Sequence, residues 1–253
     1  MLTSAQVDFF QRTGFLKLPE FFEPATGREL TEMAWMELAK YGVLKDSRDT
    51  WPSGPAIRGP QLKTVRSFAT PLDVLTGEKL RSCVAELTEH PLTRIDDNTL
   101  LLSFPADDAD SKPWNVPASG WHQDFNIREG IGSPFIIVFF ILSNVEHRGG
   151  GTAFLSGFHR LEDGQTQHHA SQIYKSLRSK SDFFNRLFDM KSESPNWEIG
   201  AKTSICDVEV ELLEMTGDAG DIYIVDSLLF HTITPNHSPG PRFMAKAYYK
   251  KIA

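Results

Sequence analysis

Apolar positions follow a helical period near the N-terminus and a strand period afterwards. In LTSAQVDFFQRTGF, Val7, Phe10 and Phe15 fall near one helical face behind a Thr3 or Ser4 N-cap, and Gly14 supplies the stop. FLKLPEFF then reads as a short strand and a turn. From Pro24 to about Lys40, the spacing of Leu30, Met33, Ala34 and Leu38 predicts a second helix. Residues 44–65 carry three prolines and two glycines without a period, which marks a long irregular loop. TPLDVLTGEKLRSCVAELTEH predicts one or two further helices.

Beyond this point the pattern turns to strands. NTLLLSFP reads as one, and the unbroken apolar run in SPFIIVFFILSNV has the length and Ile/Phe content of a strand buried on both faces. It runs into EHRGGGTAFLSGFHR, a glycine turn before another short strand. SQIYKSLRSKSDFFNRLFDM has helical spacing. CDVEVELLEMTGDAGDIYIVDSLLFHT alternates as Val208, Val210, Leu212 and again as Ile222, Ile224, and RFMAKAYYK alternates as Phe243, Ala245, Ala247, Tyr249. Helices first and short strands later predict a mainly β protein with supporting helices, an antiparallel barrel or jelly roll. The expected organisation is one domain over 1–253: helical support over about 1–95, and a jelly-roll core over about 96–253 with a helical insertion at about 160–200.

Composition narrows the function classes. At 253 residues the chain buries a sizeable core without staples. A net charge of −7 argues against nucleic acid as partner, since phosphate contacts need clustered Lys and Arg. The longest purely apolar run, Phe135 to Leu142, is far too short for a membrane span, so no membrane partner and a cytoplasmic location are expected. The two cysteines, Cys83 and Cys206, form no Cys-x-x-Cys pattern and read as incidental thiols. No coiled-coil repeat bears on the oligomeric state, which stays open.

The stretch GWHQDF places His122 and Asp124 two residues apart. In a strand such residues share a face, so both can reach one point. His231 closes GDIYIVDSLLFH at the end of a predicted strand and would complete a set of two histidines and a carboxylate. That set occupies one face of a metal and leaves the other open, the arrangement of non-haem Fe(II) oxygenases. A lone His-x-Asp is common by chance, and context carries the weight. Arg242 stands eleven residues beyond His231, across the loop TITPNHSPGP. Pairing of the two flanking strands would bring its guanidinium beside the metal pocket to bind a carboxylate. The plainer alternative is a strand-edge arginine, solvated or paired with an acid such as Asp226.

At these residues the chain resembles the phytanoyl-CoA dioxygenase family, oxygenases on a double-stranded β-helix that use Fe(II), 2-oxoglutarate and O2. The resemblance runs in order through LTSAQVDFFQRTGFLKLPEFF, GWHQD, GGGTAFLSGFHR, GDAGDIYIVDSLLFH and GPRF. It implies that His122, Asp124 and His231 bind iron and act as the catalytic centre, while Arg242 holds the distal carboxylate of 2-oxoglutarate. It further implies oxidation of a substrate C–H bond with release of succinate and CO2. Asp124 favours hydroxylation or a related oxidation, because related halogenases carry Gly or Ala at that place. Some members place a hydroxyl residue two positions after the distal histidine; here that residue is Ile233, and Thr232, Thr234 and Thr152 are the remaining hydroxyl candidates for the cosubstrate.

A small organic substrate is expected to enter through loops carrying Trp51, Arg58, Trp114 and Asn126. Arg58 would anchor an anionic substrate, or else it is a solvated loop arginine. Two other functions compete: a catalytically inactive jelly roll that binds a ligand, and a metal-dependent cupin enzyme that does not use 2-oxoglutarate. The usual His-x-His of cupins is absent, and Arg242 would then have no assigned role.

Overall fold

The computed structural model describes residues 1–52, 75–88, 92–106, 113–124, 135–161, 170–189 and 198–251. Helix α1 (Ser4–Thr13) starts where local chemistry predicts. Thr3 and Gln6 form a reciprocal capping box, and Gly14, at φ 78°, ends the helix in the left-handed region. Strand β1 (Phe15–Leu18) follows directly, then α2 (Pro24–Ala39), with a proline in its first turn, and α3 (Glu78–Thr88).

The remaining chain supplies β2 (Leu92–Ser103), β3 (Phe135–Ile141), β4 (Thr152–Ser156), α4 (Ala170–Lys180), α5 (Asp182–Leu187), β5 (Lys202–Ile205), β6 (Val208–Glu214), β7 (Ile222–Asp226), β8 (His231–Ile233) and β9 (Arg242–Lys251). Among the described residues these form a five-stranded sheet, β1-β7-β3-β9-β2, and a four-stranded sheet, β5-β6-β4-β8. Every strand pair is antiparallel. From β3 onward the chain passes back and forth between the two sheets, which is jelly-roll connectivity.

Period-two alternation sorts the larger sheet into two faces. Leu16, Ile136, Phe140, Ile224, Phe243 and Ala245 pack with Leu30, Trp35, Leu38, Leu80 and Val84 of the helices. Phe15, Phe139, Tyr223, Met244 and Tyr248 belong to the second core, toward the smaller sheet. Phe154 of the smaller sheet meets Phe15 edge-on at 4.9 Å, closing the space between the sheets. Both faces of β3 are therefore covered, as its unbroken apolar run predicts.

Two expectations are corrected. The segment ending in His231 is not one strand: β7 ends at Asp226, whose Oδ1 accepts from Leu228 N at 2.8 Å in a tight turn, and His231 opens β8 in the other sheet. Nor do the strands flanking TITPNHSPGP pair. β8 pairs with β4, and β9 with β2 and β3, so the loop carries the chain from one sheet to the other. No described helix is long and apolar enough to cross a membrane.

Candidate metal centre

Two short extended segments carry the histidines. His122 and His231 form an antiparallel bridge with reciprocal backbone hydrogen bonds, His122 N to His231 O at 2.9 Å and His231 N to His122 O at 3.0 Å. His122 and Asp124 thus share no regular strand; the single bridge fixes the segment instead. Neighbouring residues of an extended chain project to opposite sides, so Trp121 and Phe230, each preceding a histidine, meet on the far side, stacked with centroids 5.9 Å apart. Tyr174 of α4 clips the same segment: its hydroxyl accepts from Trp121 N at 2.8 Å and donates to Trp121 O at 3.3 Å. Helix α4 therefore buttresses the segment that carries His122.

On the near side the imidazoles lie 4.4 Å apart between centroids. Each Nδ1–H donates to a backbone carbonyl two residues earlier, His122 to Gly120 O at 2.7 Å and His231 to Leu229 O at 2.9 Å. A carbonyl can only accept, so both rings carry the proton on Nδ1 and offer a bare Nε2 inward. Asp124 Oδ1 lies 3.6 Å from His122 Nε2 and 3.8 Å from His231 Nε2. The opposite oxygen, Oδ2, accepts from Lys246 Nζ at 2.8 Å and from the Tyr248 hydroxyl at 3.3 Å.

The electrostatics follow from this arrangement. Burial alone would raise the Asp124 carboxyl, but the adjacent His122, His231 and Lys246 hold it well below the ordinary range. The Asp124 carboxylate, with Oδ1 3.6 Å from Nε2, raises His122 by favouring its protonated form. Burial pushes His231 down to about 4, so its Nε2 is unprotonated at neutral pH. One nitrogen or oxygen atom from each of the three side chains lies within 4.8 Å of the others. Bonds of about 2 Å to nitrogen and oxygen donors let one ion span such a set. Two neutral imidazole nitrogens and an ionised carboxylate suit iron and its neighbours in the first transition row.

Arg242 reaches the interior by a different route from the one expected, because β9 belongs to the sheet opposite β8. It is 2% exposed, its Nη1 donates to Leu101 O at only 3.5 Å, and its Nε has no hydrogen-bond partner among the described residues. Burial lowers its pKa to about 10, partly opposed by the field of Glu214, so it stays cationic. A buried guanidinium with an unmatched donor is chemically suited to a carboxylate.

The threonines divide. Thr232 points away from His231, and its hydroxyl donates to Ser119 O at 3.3 Å, bracing the loop ahead of His122. Thr234 donates between Gly151 O at 2.9 Å and Glu214 Oε1 at 3.2 Å. Thr152 is the register partner of Ile233 and shares its face of the smaller sheet.

Trp51 packs against Trp35 and Phe104 on the helix-covered side of the larger sheet, and its Nε1 donates to Leu44 O at 2.8 Å. It pins that corner and does not stand with the histidines. Trp114 is buried, its Nε1 bound to Pro235 O at 3.0 Å and its ring against His147. Arg58 and Asn126 lie outside the described residues. His147 is half-exposed, with Nδ1 2.7 Å from Glu214 Oε2. Sequence reading missed Lys246, Tyr248 and Tyr174. The first two were within reach: once Arg242 is assigned inward, period two turns Met244, Lys246 and Tyr248 inward as well.

Neither a protein-family model nor a curated protein sequence matches the chain. Solved structures do resemble it. AviO1 from Streptomyces viridochromogenes Tue57 has 17% identity and a TM-score of 0.60, over 100% of this chain and 98% of that one. HygX from Streptomyces hygroscopicus with nickel and 2-oxoglutarate bound has 14% identity and a TM-score of 0.55, over 99% and 88%. The epimerase SnoN in complex with Fe3+, alpha ketoglutarate and nogalamycin RO has 16% identity and a TM-score of 0.56, over 98% and 82%. The chain has the fold of these proteins, a cupin-like jelly roll.

Proposed function

We propose that this protein is a non-haem Fe(II)- and 2-oxoglutarate-dependent oxygenase that oxidises a C–H bond of a small organic substrate, with the whole chain forming one oxygenase unit. The observation that carries the reading is the convergence of His122 Nε2, His231 Nε2 and Asp124 Oδ1 in one cluster, both rings held in the metal-binding tautomer. The fold shared with HygX and SnoN, solved with 2-oxoglutarate and a metal, supports the same assignment.

In this reading His122, Asp124 and His231 hold the iron. When bound, the metal couples oxidative decarboxylation of 2-oxoglutarate, giving succinate and CO2, to oxidation of the substrate. Lys246 and Tyr248 fix the outer oxygen of Asp124 so that the inner one faces the histidines. Arg242 binds the distal carboxylate of the cosubstrate, which its buried and incompletely bonded guanidinium fits. Phe139, with its ring 6.4 Å from that of His231, keeps the inner side of the cluster dry. His122, whose side chain is 44% exposed against 8% for His231, marks the side open to substrate. The resemblance to phytanoyl-CoA dioxygenases is compatible with this assignment but leaves the reaction open. SnoN is an epimerase and SnoK a carbocyclase on the same fold, so hydroxylation is one of several outcomes that the loops would select.

The test is an anaerobic titration of metal-free protein with Fe(II) and then 2-oxoglutarate, following the visible charge-transfer band of a chelated 2-oxo acid. A band that disappears in His231→Ala supports the reading. A folded, iron-loaded protein without the band overturns it in favour of a cupin enzyme or a ligand-binding jelly roll.

A further inference from the structure

Ser103, the last residue of β2, is the register partner of Arg242 on β9. Directly opposed residues of an antiparallel pair project to the same face, with Cβ atoms about 5 Å apart. Ser103 is 0% exposed, and its Oγ, like Arg242 Nε, has no hydrogen-bond partner among the described residues. Protein interiors rarely leave a polar atom unmatched, and two neighbouring ones on the same face call for a shared partner. A hydroxyl donor beside a guanidinium is satisfied by an anion with more than one acceptor oxygen.

The surrounding backbone keeps the hydroxyl clear. Gly150 sits at φ 76°, and a Cβ there would lie 2.7 Å from Ser103 Oγ. The hydroxyl expected two positions after the distal histidine is replaced by Ile233, while Thr232 and Thr234 are engaged elsewhere.

We propose that Ser103 donates its hydroxyl to the carboxylate held by Arg242, so that the two residues from adjacent strands select a 2-oxo acid with a distal carboxylate. This rests on the reading of the protein as a 2-oxoglutarate-dependent oxygenase. Ser103 is a binding and specificity residue, remote from the bond that reacts.

The test compares two probes on the full-length Fe(II)-loaded protein without oxygen: 2-oxoglutarate, and 2-oxovalerate, in which a methyl replaces the distal carboxylate. Both chelate through the same end, so the visible band reports the affinity of each. Ser103→Ala is expected to weaken 2-oxoglutarate about tenfold or more, as for the loss of one hydrogen bond to a charged group, and to leave 2-oxovalerate unchanged. The ligand-free variant should melt no lower than the parent, because the lost hydroxyl has no internal partner. Equal weakening of both acids, or of neither, overturns the proposal. Arg242→Gln separates the two failures. If it abolishes the preference for 2-oxoglutarate while Ser103→Ala does not, Ser103 alone is misassigned. If it leaves the preference intact, or if no acid gives a band, the cosubstrate reading falls and this inference with it.

Discussion

Lys246 Nζ lies 2.8 Å from Asp124 Oδ2, on the carboxylate oxygen turned away from the two histidines. The side chains are only 13% and 10% exposed, so this is a desolvated ion pair, and the cation stands where it orients the carboxylate from behind.

Lys246→Met leaves the buried Asp124 without its nearest cation. The metal-free protein should lose about 3 kcal/mol of stability, the usual cost of breaking a buried pair from one side. A divalent ion supplies the missing positive charge, so the rise in melting temperature on adding Fe(II) or Mn(II) should be larger in the variant than in the parent. Thermal unfolding with and without metal decides this. An equal loss in both conditions would mean that the pair is independent of the metal site.

Tyr174→Phe removes the acceptor of the Trp121 amide in a residue that is 1% exposed. An unmatched buried donor costs about 1–3 kcal/mol. Because Trp121 precedes His122, metal affinity should fall further than in an equally destabilised variant far from the site. Calorimetric titration with Mn(II) on both variants makes the comparison, and equal affinities would reduce Tyr174 to a general packing role.

How far the chain could be read follows the range of the interactions concerned. The Thr3–Gln6 cap and the Gly14 stop are local, and the sequence carries them in full. Strand β5 was missed because its turn to β6 uses Cys206 and Asp207 at φ 49° and 63°, without the glycine that marks such turns. Sheet membership was also out of reach. That β1 joins β7, and that β8 and β9 part company, depends on partners more than a hundred residues away or on a loop that crosses between layers. The convergence of His122, Asp124 and His231 was legible because their spacing and order point to it. Lys246 was overlooked because a lysine on an alternating strand looks solvent-facing until the inward arginine four residues earlier is taken into account.

Gly150→Ala should be costly out of proportion to one methyl group. The position has φ 76°, and the new Cβ would sit 2.7 Å from Ser103 Oγ and 2.8 Å from Asn236 Cβ. Strain of this kind costs about 1–3 kcal/mol. Displacement of Ser103 should also weaken 2-oxoglutarate. Chemical denaturation and cosubstrate titration test the two effects separately, and a variant as stable as the parent would show that the turn relaxes freely.

The metal-free protein should lose stability on mild acidification, and His231 sets the window. Its folded pKa, pushed by burial to about 4, lies below the ordinary 6.5. Between these values the unfolded chain binds a proton that the folded protein refuses, so stability falls as pH drops from 6.5 to about 4 and this contribution is exhausted below that. The full effect is up to about 3 kcal/mol. His122 acts in the opposite sense: raised by Asp124, it adds stability that is present below its ordinary pKa and is lost as pH rises through the folded value. Urea denaturation across this range, with His231→Gln as reference, isolates the His231 contribution, because glutamine does not titrate. The parent should lose stability relative to the variant as pH falls, and parallel curves would mean that His231 accepts its proton in the folded protein as readily as in the unfolded chain.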